Sequence, residues 1–193
     1  MVYAAIGESD VAWAGMTYPE IRQVAEAAGS ILVVPTGSLE QHGRHLPTAT
    51  DTILADAVAT LGAERASADL PVIVTPPVWT GFSPHHLPFG GTVTLTVESL
   101  LHLLEDVAET AIENGFDALL FVNGHGGNTS VLGAAVSSIG SGNPEVQVLS
   151  INYARLAAPF IDEIRESDTG GMSHGGEFET SLMLHLRPEL VRE

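Results

Sequence analysis

The chain has 193 residues, no cysteine, and 24 acidic against seven basic side chains, for a formal net charge of −17. Without cysteine there are no disulfides, no thiolate nucleophile and no sulfur-ligated metal, so any metal must take nitrogen and oxygen ligands. An acidic surface of this kind repels nucleic acid and anionic membrane, which argues against both as partners. All the basic residues are arginine. A lysine-free acidic balance fits the cytoplasm of a salt-loving archaeon, where salt screens self-repulsion, and it also fits an ordinary acidic protein with biased codon usage. No apolar run reaches the length of a membrane span, and the N-terminus has neither the basic region nor the apolar core of a signal peptide.

The length suits one α/β domain over 1–193, with no repeats or low-complexity tract. Residues 30–37, SILVVPTG, form a short apolar run closed by Pro and Gly and read as a buried strand. Residues 51–66 have helical spacing, with Asp51 placed to cap the helix. A strand follows at 71–78, a long Gly/Pro/His loop at 79–91 and a short strand at 92–96. Thr96 is placed to cap a helix over 97–114, with Glu98 in its first turn and Gly115 ending it. Then come a strand at 117–124, a glycine loop, a helix at 129–139, a surface turn at 137–145, a strand at 145–152, and helices at 154–166 and 177–186. This alternation predicts a mostly parallel sheet with helices on both faces. Ligands of such sheets bind beyond the carboxyl ends of the strands. The polar loops GSLEQHG and NGHGGN both fall there.

Four constellations carry candidate chemistry. In PTGSLEQHGRHLPTATD, Glu40 and His42 lie two apart, so in an extended segment they face one way. Asp51, at a helix start, can return to the same point. Carboxylate and imidazole suit zinc, manganese or ferrous iron, and one carboxylate can bridge two ions. Spacing alone leaves a ligand loop and a plain turn with a helix cap equally open. In NGHGGN, His125 sits among glycines that allow close backbone approach; the alternative is a glycine turn with a solvent histidine. In SHGGEFETSLM, His174 and Glu177 straddle a helix start, where Glu177 and Glu179 also favour the helix electrostatically. In WTGFSPHHLPFGGT, at most one of the adjacent His85 and His86 faces a given site. Trp79 and Phe82 could wall a pocket for a flat substrate, or tuck into the core.

Taken together, GSLEQHGRHLPTATD, VNGHGGN and HGGEFETSLML resemble the creatininase (creatinine amidohydrolase) family, in the family's order, from about residue 16 to the end of the chain. The resemblance implies a three-layer α/β fold and a metal-dependent amidohydrolase that is often a homohexamer. It implies two divalent ions, zinc first, with manganese or iron as alternatives. By position, Glu40 matches a terminal ligand of one ion, His42 a ligand of the other, Asp51 the bridging carboxylate and His125 the histidine of the N-G-H loop. His174 matches a histidine that acts on substrate as a proton shuttle, and His86 matches another in the relatives' substrate loop. Creatininase itself has a glutamate two residues after the N-G-H histidine, where this chain has Gly127; Glu177 is the expected replacement, as ligand and member of the catalytic set. The chain also stops sooner after the third motif than most relatives, so a C-terminal segment is expected to be missing.

The implied reaction is hydrolysis of the C–N bond of a small cyclic or formyl amide by a metal-activated water. A sharper alternative is removal of a formyl group from a pyrimidine nucleotide of archaeal flavin and deazaflavin biosynthesis. There Arg44 would hold the phosphate, its alternative being a solvent arginine. A reading of another class is a metal-binding protein without turnover.

Overall fold

The computed structural model describes residues 3–192 apart from Glu8 and Thr169; the ends of the 1–193 span lie outside the described residues. In chain order the elements are α1 (Tyr18–Ala25), β1 (Ile31–Thr36), α2 (Thr50–Ala66), β2 (Val72–Val74), α3 (Val97–Glu113), β3 (Ala118–Asn123), α4 (Thr129–Gly142), β4 (Gln147–Asn152), α5 (Tyr153–Ile161) and α6 (Glu177–Leu186), with short 3₁₀ turns between them. The four strands pair in the order β2-β1-β3-β4, and every pairing is parallel. The expected α/β sheet, with helices on both faces, is what the chain forms.

Successive strand side chains point to opposite faces, and each face has its own core. Leu32, Val34, Ile73, Leu119 and Phe121 pack with Leu100 and Leu104 of α3 and Val131 and Leu132 of α4. Val33, Val72, Val74 and Val122 pack with Ile53 and Leu54 of α2 and Met183 of α6. Covering both faces is why β1 and β3 read as unbroken apolar runs. Thr96 caps α3 by accepting from Ser99 N–H at 3.1 Å, and α6 has the expected bounds.

Four elements differ from expectation. α4 runs to Gly142, past the expected end at 139 and through most of the expected 137–145 turn. Residues 92–96 form no strand. Val93 and Thr94 make only isolated bridges, to Leu39 and Gly81, because their backbone groups turn to the ligand loops: Val93 N–H donates to Leu39 and Leu95 N–H to Gly81. β2 is three residues long, since Pro76 and Pro77 behind it carry no N–H for a ladder. α5 stops at Ile161, soon after Pro159, which lacks the N–H that would bond one turn back.

The register places the site. Thr36 and Asn123, the last residues of β1 and β3, are direct partners, so the loops leaving these strands emerge side by side. Asn128 holds them together. Its Nδ2 donates to the Gly37 carbonyl at 2.9 Å and its Oδ1 accepts from Phe82 N–H at 2.9 Å. Gly124 is required where β3 meets α2: a Cβ there would lie 2.5 Å from the Asp51 carbonyl and 3.0 Å from Ala55 Cβ.

Candidate metal centre

Asp51 is not the cap of α2. That position belongs to Ala49, and Asp51 lies in the first turn, buried, with its side chain directed at the loops. Its two oxygens divide between two groups. Oδ2 is 3.0 Å from His125 Nδ1, which is itself 3.2 Å from Glu40 Oε1. Oδ1 is 2.9 Å from His42 Nε2, which is 3.7 Å from Glu179 Oε2. Glu40, Asp51 and His125 thus form one cluster with ion-holding spacing, and His42, Asp51 and Glu179 form a second. Asp51 belongs to both.

The local chemistry fits divalent ions. Glu40 Oε1 and Asp51 Oδ2 are buried without a hydrogen bond, a costly arrangement for a carboxylate unless a cation neutralises it. Each histidine is held by its far nitrogen. His42 Nδ1 lies 3.2 Å from the Glu40 carbonyl, and His125 Nε2 lies 3.2 Å from the Phe82 carbonyl. A carbonyl can only accept, so in the neutral rings those nitrogens carry the protons, and His42 Nε2 and His125 Nδ1 are the nitrogens left to meet an ion. Metal-ligating histidines are oriented in this way. Ser38 Oγ donates to Glu40 Oε2 at 2.8 Å, leaving Oε1 turned toward His125.

In the metal-free chain, histidine protons balance the carboxylates. Burial lowers the basicity of His125, but its contacts with Asp51 and Glu40 more than reverse this and push it up to about 10. For His42, burial is likewise outweighed, by Asp51 first and then Glu179, to about 9. Burial raises Glu179, with the Asp51 charge adding to it. Burial would raise Glu40 too, but His125 holds its carboxyl well below the ordinary range.

Around this core stand two more histidines. His174 Nδ1 and His86 Nε2 lie 3.5 and 3.4 Å from Glu40 Oε1, and their rings stack with centroids 4.3 Å apart. His85 is exposed as His174 is, and its ring stacks on that of His125 with centroids 5.9 Å apart. His45 joins the first motif to the third: Nε2 is 2.9 Å from Thr180 Oγ1, and its carbonyl accepts from Arg192 N–H at 2.7 Å. The Trp79 carbonyl accepts from Thr52 Oγ1, next to Asp51 on α2, at 2.9 Å, and the residue is 48% exposed. Arg44 is exposed on the loop between β1 and α2, beside His45.

A family model described as "Creatininase: Creatinine amidohydrolase" matches residues 14–193. The chain belongs to the creatininase family. It is 37% identical over 163 residues to the "Mycofactocin precursor peptide peptidase" of Mycolicibacterium smegmatis, covering 83% of this chain and 60% of that protein. It is 30% identical over 192 residues to the "Creatinine amidohydrolase" of Pseudomonas putida, covering 91% and 72%. The chain therefore spans about three fifths of the length of the first of these curated relatives. Among solved structures, "Creatininase Mn" superposes with a TM-score of 0.83 at 28% identity, over 93% of this chain and 74% of that one. A mutant creatininase of "Zn-Zn type" gives 0.85 at 28% identity, over 96% and 76%.

Within this family frame, the expectation for Glu177 needs correcting. Its carboxylate turns away from the clusters and accepts from the N–H groups of Glu166 and Ser167 at 2.9 and 2.7 Å. Glu179 is the residue of this segment that reaches His42 and Asp51. Gly127 has no room for a side chain: a Cβ would collide with the Phe82 carbonyl and the His125 ring. Sequence reasoning also missed Gln41, whose amide lies between His86 and His174. Its only signal was its place between Glu40 and His42.

Proposed function

We propose that this creatininase-family chain is a metal-dependent hydrolase that cleaves the C–N bond of a small cyclic or formyl amide. The observation that carries the reading is Asp51, with one oxygen in each of two three-residue clusters. Glu40, Asp51 and His125 would hold one divalent ion, and His42, Asp51 and Glu179 the other. Zinc is the first choice for such nitrogen and oxygen ligands, with manganese and ferrous iron next. When bound, the pair would supply an activated water and polarise the amide carbonyl. His174, exposed at the mouth of the centre, would pass a proton to the leaving nitrogen, a task suited to an imidazole, and partial burial beside His42 and His86 lowers its pKa from the ordinary value. His86 would line the substrate side beside it. Trp79 would contribute an apolar wall. The acidic, lysine-free composition supports a salt-rich cytoplasm, and family resemblance supports a homo-oligomer such as a hexamer.

The test is a substrate panel in high salt. Chelator-treated protein is reloaded with zinc, manganese or ferrous iron and offered creatinine, other cyclic amides, formyl amides and short peptides, with metal content measured on the same sample. Turnover of a cyclic or formyl amide that depends on two ions per chain is expected. Cleavage of peptides alone would instead align the chain with the peptidases it is 37% identical to. Two tightly bound ions with no turnover would leave a metal-binding protein. A second reading rests on Arg44, an exposed guanidinium in the ligand loop of a chain with a net charge of −17, which suits the phosphate of a formamidopyrimidine nucleotide. Arg44→Ala should raise KM for that nucleotide and leave unphosphorylated amides unaffected; equal effects on both refute the phosphate role.

A further inference from the structure

The Gln41 side chain has every polar position engaged. Oε1 accepts from Gly43 N–H at 2.9 Å, which fixes the direction the amide faces. Nε2 therefore faces the histidines, 2.8 Å from His86 Nδ1 and 3.1 Å from His174 Nε2. An amide NH₂ can only donate, and a neutral imidazole has one accepting nitrogen and one N–H. Both facing ring nitrogens must therefore accept, so the protons sit on His86 Nε2 and His174 Nδ1. These are the two atoms that point at Glu40 Oε1, at 3.4 and 3.5 Å. The stacked rings, 4.3 Å apart and inclined by 24°, let one amide serve both.

We propose that Gln41 is a positioning residue that sets the tautomers of His86 and His174, so that each ring turns an N–H toward the centre. For the kinetic arm alone this rests on the amidohydrolase reading above. The consequence is specific: His174 meets a substrate with Nδ1–H. The opposite tautomer would set N–H against N–H at Gln41 and leave a bare nitrogen where the leaving group needs a proton.

Gln41→Glu tests this with little change of volume. A carboxylate can still accept from Gly43 N–H, but it offers the rings only acceptors, so both tautomers should invert. Long-range proton–nitrogen spectra of the ¹⁵N-labelled full chain, metal-free and zinc-loaded, in alkaline buffer that keeps both rings neutral, report which nitrogen is protonated. Wild type is expected to show His174 protonated at Nδ1 and His86 at Nε2, and the variant the reverse. With the amide found in the substrate panel, kcat should fall by about tenfold to hundredfold, toward the contribution typical of general acid–base catalysis. KM should stay within roughly twofold, and zinc content should be unchanged. If Gln41→Glu does not fold, Gln41→Met removes the donor without adding charge and should give mixed tautomers. The opposite wild-type tautomers, unchanged tautomers in the variants, or inverted tautomers with unchanged kcat would each overturn the proposal. The spectra need no turnover, so they decide the tautomers even where no amide in the panel is a substrate.

Discussion

Glu179→Gln and Glu177→Gln form a pair that separates ligand from loop clamp. Both keep side-chain size and remove one charge, and the two sites are two residues apart on α6. Glu179 Oε2 lies 3.7 Å from His42 Nε2 and accepts from Gly175 N–H at 2.5 Å; Glu177 instead accepts from the Glu166 and Ser167 N–H groups. Loss of a group that merely orients a metal ligand weakens metal binding by about 10–100-fold, so loss of a ligand itself should reach about 100-fold, or about 2.8 kcal/mol. At a free metal concentration 100 times the wild-type Kd, binding stabilises the fold by about 2.7 kcal/mol. After a 100-fold loss the same metal concentration still contributes about 0.4 kcal/mol, and a domain of this length shifts by about 2–4 °C per kcal/mol, so Glu179→Gln should forfeit about 5–9 °C of the metal-induced rise in Tm. The same change removes a buried carboxylate beside Asp51, so metal-free Tm should hold or rise. Glu177→Gln should leave the metal-induced increment intact. The assay is thermal unfolding with and without zinc, with metal counted per chain. Two retained ions in Glu179→Gln together with loss of one in Glu177→Gln would refute the assignment of Glu179.

Asp51→Asn should lose both ions and amidase activity together, because one side chain serves both clusters; two ions still tightly bound in that variant would remove Asp51 as the bridge. Gly127→Ala should lower metal content through its collision with the His125 ring and the Phe82 carbonyl, at a stability cost of about 1–3 kcal/mol for overpacking, read by urea unfolding. Metal-free stability should fall as pH rises. His42 and His125 have folded values raised to about 9 and about 10, so their stabilisation is complete below the unfolded value near 6.5 and is lost as pH rises through the folded values. Zinc affinity should climb over the same range, since the ligands must shed those protons. A metal-free Tm that is flat or rising between pH 7 and 10 would contradict the pairing.

The fold was legible because its signals are local. Apolar runs ended by Pro and Gly gave β1 and β3 within a residue or two, and helical spacing gave α2, α3 and α6. Segment 92–96 misled because Val and Thr alternate there as in a strand, while its backbone partners are loops rather than a sheet neighbour. The centre was legible in part. The structure brings Glu40, His42, Asp51 and His125 together, and the sequence offered them as residues flanking two strand ends. Asp51 as bridge or as helix cap could not be decided from spacing, since both uses put an acidic residue at a helix start.

By itself the sequence determined the ligand chemistry, nitrogen and oxygen without sulfur, and the strand ends from which the ligand loops emerge. Tertiary structure alone decided which acidic residue of α6 faces the site. Two residues on an α-helix are rotated by about 200°, so Glu177 and Glu179 point to opposite sides. The rotation of α6 is set by Met183, fully buried in the α2-side core with Phe178 and Leu182 packed around it. No reading of HGGEFETSLM contains that angle. The role of Gln41 is hidden for the same reason, because its two histidine partners lie 45 and 133 residues away and meet it only once the loops close over the sheet.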